Sequence, residues 1–89
     1  MVTGVALKTP ESEEFGARVR AAREQIEGLT QERMAHASGV TSSYYSNLER
    51  GLANPTFDVI VTIADQVNVD PAELMRGLKP SGLRRRGTS

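Results

Sequence analysis

Between Thr41 and Arg50 the chain sets Thr41, Ser42, Ser43, Ser46, Asn47 and Arg50 among Tyr45 and Leu48. On a helix turning about 100° per residue, Ser42, Ser43, Ser46, Asn47 and Arg50 fall on one side, opposite Leu48. An ordinary solvated face carries Glu and Lys; this one offers short hydroxyl and amide groups, the donors and acceptors that match base edges. Its only acid, Glu49, is expected at the edge of the side that turns inward. Thr41, Ser42, Ser43, Ser46 and Asn47 are therefore candidates for base contacts in the major groove of DNA, because a recognition helix reads with its N-terminal residues. Asn47 is the sharpest of them, since one amide can bond adenine at N6 and N7 together. Side chains this short require the helix to lie deep in the groove, which leaves part of the selectivity to DNA shape.

Such a face works only if something holds the helix, and the residues upstream supply a helix, a tight turn and a second helix over Gln31 to Arg50. Ala35 lies four residues before Gly39, where a larger side chain would push the second helix away, and Gly39 suits the turn itself. Val40 plugs the core, Thr41 can cap the next helix, and Tyr45 and Leu48, spaced i and i+3, turn inward together. Thr30 and Gln31, at the start of the first motif helix, are expected to meet a phosphate, because free N–H groups and the helix dipole favour an anion there. Arg50, Asn54 and Thr56 form a second expected phosphate clamp. Tyr44 is expected to cover the core edge with its ring while its hydroxyl reaches the DNA backbone.

Around this motif the spacing predicts five helices and no strand. The first runs from a cap at Ser12 to about Glu27, with Phe15, Val19, Ala22 and Ile26 as its apolar stripe. The second follows the cap Thr30, and the third ends at Gly51. The fourth opens at Pro55 and Thr56 and repeats Phe57, Ile60, Ile63, Ala64 and Val67 toward the core. The fifth opens at Pro71 and carries Leu74 and Met75. The expected organisation is an N-terminal arm over 1–11, one DNA-binding domain over 12–78 and a basic tail over 79–89, with both ends unstructured.

The same residues resemble the Xre family of helix-turn-helix regulators, the group of the phage lambda and 434 repressors and of restriction-modification controllers. The resemblance spans GARVRAARE, GLTQERMAHASGVTSSYYSNLERG and NPTFDVIVTIADQVNVDPAELM, roughly Gly16 to Met75. Its most specific pieces are GLTQ, YxSxLERG and NPT. It implies an all-α, compact five-helix lambda-repressor-like domain with the motif at helices two and three. It also implies a structural ion pair between Arg23 and Glu49, with Arg20 as the rival partner. In the family that arginine usually stands four residues before the glycine of GLTQ; here Arg23 lies five before Gly28, which predicts a one-residue bulge at the end of the first helix. Family members often carry arginine or glutamine where Ser42 and Asn47 stand, so base readout here leans on smaller contacts.

Composition narrows the function classes. Eighty-nine residues is near the low end for a self-sufficient core, and one recognition helix reads only a few base pairs, so a symmetric dimer on a palindromic operator is expected. Apolar residues left over from the fourth and fifth helices, Val59, Val61, Val69, Met75 and Leu78, are its candidate interface. Eleven Lys and Arg balance eleven Asp and Glu. A neutral chain predicts modest non-specific affinity, although Arg76, Lys79 and Arg84–Arg86 form an acid-free end. With no cysteine and a single histidine, His36, neither a thiolate zinc site nor any cofactor is expected. No catalytic constellation exists, since ERMAH lacks the second histidine of a metalloprotease helix. No segment reads as a membrane span, and a cytoplasmic protein is the plain expectation. The leading expectation is a DNA-binding transcriptional regulator of the controller type acting on its own promoter. An antitoxin or other protein-interaction module with secondary DNA binding is the alternative from another class, and a small phage-type repressor is a third reading.

Overall fold

A computed structural model describes residues 8–81, so the Arg84–Arg86 run and most of the N-terminal arm lie outside the described residues. Five helices follow in order: α1 Pro10–Glu24, α2 Gln31–Ser38, α3 Ser42–Glu49, α4 Phe57–Gln66 and α5 Pro71–Met75. Among the described residues there is no strand, and no helix is long and apolar enough to cross a membrane.

The first helix starts earlier than its spacing suggested. Its cap is Thr9, not Ser12: the Thr9 hydroxyl accepts the Ser12 N–H at 3.1 Å, and the Ser12 hydroxyl accepts the Thr9 N–H at 2.9 Å. Pro10, whose locked φ suits the first helical position, fixes the helix start one residue after Thr9. Ser12 is thereby placed inside the helix, with its Oγ 2.8 Å from the Gly51 carbonyl oxygen at the end of α3. At the other end α1 stops at Glu24, and the expected bulge is absent. The extra residue is taken up in the following turn, where Ile26 N–H bonds the Arg23 carbonyl at 3.0 Å and Gly28 adopts φ +82°. Ile26 still packs against the core from that turn.

The turn between α2 and α3 needs a left-handed residue, and Gly39 takes φ +73° there. Val40 N–H closes back on the Ala35 carbonyl at 3.0 Å. Ala35 is buried, as close approach of the two helices demands. Phe15 and Val19 of α1, Met34 of α2, Tyr45 and Leu48 of α3, Ile63 and Val67 around α4 and Leu74 of α5 make one core. α5 is too short to hold itself by its own hydrogen bonds. Its carbonyl end is held by the Arg18 guanidinium of α1, which donates to Leu74 at 3.2 Å and Arg76 at 2.7 Å.

One member of the expected apolar repeat of α4 does not reach that core. Phe57 is 79% exposed; it is the first residue of the helix, ahead of the stretch that packs on α2 and α5.

Gly16 had no sequence signal, yet it sets how closely α1 approaches the recognition helix. A Cβ there would fall 2.4 Å from the Leu48 carbonyl oxygen and 2.6 Å from that of Glu49. Gly16→Ala is expected to lower stability by about 1–3 kcal/mol through overpacking against backbone, read as a drop in the urea midpoint; an unchanged midpoint would show that α1 can retreat freely.

Candidate nucleic-acid interface

The recognition helix α3 begins at the cap Thr41, whose hydroxyl accepts the Tyr44 N–H at 3.0 Å. Thr41, Ser42 and Ser43 are exposed, and Ser46 and Asn47 are half-buried. The helix is anchored from behind by Tyr45 and Leu48, both buried. What faces outward at its N-terminus is thus a set of short hydroxyls on a rigid backing, and the Thr41 proton remains free to donate while its oxygen serves the cap.

Arg50 is exposed and reaches back one turn, with its Nη1 3.2 Å from Asn47 Oδ1. Nothing in the spacing distinguished this contact from two independent side chains. It restricts Asn47: bonding adenine at both N6 and N7 uses the amide oxygen as well as its N–H, and one of that oxygen's two lone pairs already serves Arg50. Thr56 caps α4 by accepting the Val59 N–H at 3.3 Å, and it is exposed together with Asn54 and Phe57. Tyr44 is half-buried against the core, and burial raises its phenol above the ordinary tyrosine range.

Behind the helix lies a buried charge cluster. Glu49 is itself buried rather than at the edge of the inner side, because it accepts hydrogen bonds from three residues there. Arg23 Nε lies 2.6 Å from Oε2 and its Nη2 3.1 Å from Oε1. The Tyr45 hydroxyl donates to Oε2 at 2.5 Å, and Gln31 Nε2 donates to Oε1 at 2.9 Å. Burial alone would raise the Glu49 carboxyl, but the hydrogen bonds from Arg23, Tyr45 and Gln31 outweigh it and hold the group below the usual carboxylate range. The hydrogen bond to Glu49 likewise raises the Arg23 guanidinium. Burial, then the same carboxylate, pushes the Tyr45 phenol far above its ordinary value. Arg23 also donates to the Leu29 carbonyl at 3.1 Å, tying the turn before α2 into the cluster. Arg20 instead pairs with Glu24 on the surface at 3.0 Å.

Gln31 therefore has two possible duties where its position suggested one. One N–H of its amide is committed to Glu49, and the amide group carries a second. Thr30 beside it is exposed, its oxygen accepting the Arg33 N–H at 3.1 Å. Loss of the Thr30 cap by Thr30→Ala is expected to lower stability by about 0.5–2 kcal/mol, visible as a fall in melting temperature; no change would mean that the α2 N-terminus is satisfied by water.

Of the five apolar residues considered for a dimer contact, Val59, Val69 and Leu78 pack against this chain's own core. Val61 and Met75 are exposed, at 39% and 43%.

Comparison with known proteins agrees with this geometry. A helix-turn-helix family model matches residues 19–74. An HTH-type transcriptional regulator of Bacillus subtilis, YazB, is 39% identical over 64 residues, covering 72% of this chain and 91% of its own. The control protein C.BamHI of Bacillus amyloliquefaciens is 33% identical over 61 residues, covering 68% of this chain and 75% of its own. Among solved structures, the restriction-modification controller protein C.AhdI from Aeromonas hydrophila superposes with a TM-score of 0.68 at 35% identity, over 74% of this chain and 98% of its own. An outward polar face on a braced second motif helix, the matched motif and these relatives lead to one assignment: the chain belongs to the Xre-like helix-turn-helix family of DNA-binding transcriptional regulators, a family of regulators and not of enzymes.

Proposed function

We propose that the chain is a cytoplasmic regulator that binds a palindromic operator as a homodimer, its own promoter included, in the manner of a restriction-modification controller. The observation that carries this reading is the α3 surface, where Thr41, Ser42 and Ser43 stand exposed on a helix braced by a buried ion pair. The similarity to C.BamHI and C.AhdI supports the controller type. In this reading Thr41, Ser42, Ser43, Ser46 and Asn47 meet base edges. Thr30, Gln31, Tyr44, Arg50, Asn54 and Thr56 meet phosphates, which position the protein without reading sequence.

The test is fluorescence anisotropy with a duplex from upstream of its own gene, scanned over salt and over scrambled half-sites. Tight, salt-sensitive binding that needs both half-sites is expected. Binding that appears only with a co-purified protein would favour the interaction-module alternative. Asn47→Ala is expected to narrow the gap between the operator and a single-base variant by about 1–3 kcal/mol, with less effect on non-cognate DNA. An unchanged gap removes Asn47 from the reading set.

A further inference from the structure

Beside α4 lies a groove of about 310 Å³ whose apolar wall is Phe15, Ala53, Pro55, Ile60, Met75 and Leu78, with the polar Thr9, Glu11, Ser12 and Asn54 completing its lining. It sits between the start of α1, the segment leading into α4 and the end of α5. Two residues beyond Pro55, and one turn before Ile60, stands Phe57, whose ring is 79% exposed and forms no part of the groove wall. It is the most exposed of the large apolar side chains among the described residues, and in the chain it stands between two residues of this groove's wall, Pro55 and Ile60. A ring this exposed leaves most of its roughly 150–250 Å² of apolar surface in water.

The geometry points to a reciprocal exchange between two copies: Phe57 of each enters the groove of the other. The inference rests on the homodimer reading and supplies its anchor. A two-fold contact uses the same patch on both partners, so the projecting group and the receiving cavity must lie near one another on the chain's surface. Phe57 and the wall residues Pro55 and Ile60 satisfy that condition through their adjacency at the start of α4. The apolar occupant the groove calls for is thus carried by the chain itself. Two buried aromatic anchors are the kind of contact that dominates an interface, and Met75, exposed on the groove wall, and Val61, one turn beyond Phe57, complete its apolar area.

The exchange has a distinctive test, since each dimer contains two identical pairs. Phe57→Ser removes the projecting ring and keeps the groove; Met75→Asp spoils the groove and keeps the ring. Both positions are exposed, so both variants are expected to fold, with melting curves as the check. By sedimentation equilibrium each variant alone is expected to have its dimer dissociation constant raised roughly 30-fold or more. An equimolar mixture is expected to recover dimers of intermediate strength, because one intact pair forms. A Phe57→Ser protein that dimerises like the wild type, or two monomeric variants whose mixture stays monomeric, overturns the exchange. A wild-type chain that sediments as a monomer overturns the homodimer reading itself and the exchange with it, while operator binding is judged separately by anisotropy.

Discussion

Replacing Glu49 by Ala is expected to destabilise the domain by about 3–5 kcal/mol, the range for breaking a buried ion pair from one side. The variant leaves the Arg23 guanidinium, 13% exposed, without its carboxylate, and leaves the Tyr45 hydroxyl and one Gln31 N–H without their acceptor. Small domains are stable by only about 5–15 kcal/mol, so much of the folded population is at risk. Glu49→Gln retains the shape and loses the charge, and it isolates the pH effect. In the wild type the carboxylate is held below the usual range, so its contribution is fully present above the unfolded-state carboxylate value. That contribution is lost as pH falls through the lower folded value. Urea midpoints at pH 7 and at progressively acid pH are therefore expected to fall for the wild type more steeply than for Glu49→Gln. Parallel pH profiles would show that the cluster contributes no proton linkage.

Placing a carboxylate on the recognition face is the second large effect. Ser42 is exposed at the first position of α3, where an acid favours the positive end of the helix dipole by about 0.3–1 kcal/mol. Ser42→Glu is thus expected to melt at the wild-type temperature or slightly above it. Against DNA the same charge enters a groove flanked by phosphates, and like-charge juxtaposition costs several kcal/mol. At about 1.4 kcal/mol per tenfold, affinity is expected to fall by roughly two orders of magnitude or more on cognate and non-cognate duplexes. The two readouts move in opposite directions only if α3 faces DNA. A Ser42→Glu protein that binds the operator normally would place the nucleic-acid surface elsewhere.

Much of this molecule is local, and what is local could be read from residue order. Thr30, Thr41 and Thr56 cap the helices that follow them, Gly39 makes the turn, and Ala35, Tyr45 and Leu48 face inward, because each depends on neighbours within one turn. Where local signals compete, residue order alone does not decide. Ser12 and Thr9 are both acceptable caps, and the decision lay in Pro10 starting the helix one residue after Thr9. Periodicity assigned Phe57 to the core because helical spacing records angle and not position along the axis; the angle is right for the repeat, but Phe57 is the first residue of α4 and stays exposed, while Val59 and Ile60 just after it pack on the core.

Contacts between residues far apart in the chain left no such trace. Arg23 and Arg20 were both eligible partners for Glu49 because the extra residue before Gly28 blurred the register, and the turn after Glu24 resolves it by leaving α1 regular through Arg23. The hold of Gln31 on Glu49, of Arg18 on the carbonyl end of α5, and the need for a bare Cα at Gly16 arise only when separate helices are brought together. The candidate DNA face is likewise a sequence property in its residue types. Its restraint of Asn47 by Arg50 depends on side-chain conformation, which spacing does not specify.

By itself, then, the order of residues determined the helices, the turn and the polar character of the outer face of α3, since propensity, capping and periodicity act within a few residues. Only the tertiary structure decided which arginine braces that helix, which glycine admits it, and which apolar side chains remain outside, because burial is a property of the assembled elements and not of any one of them.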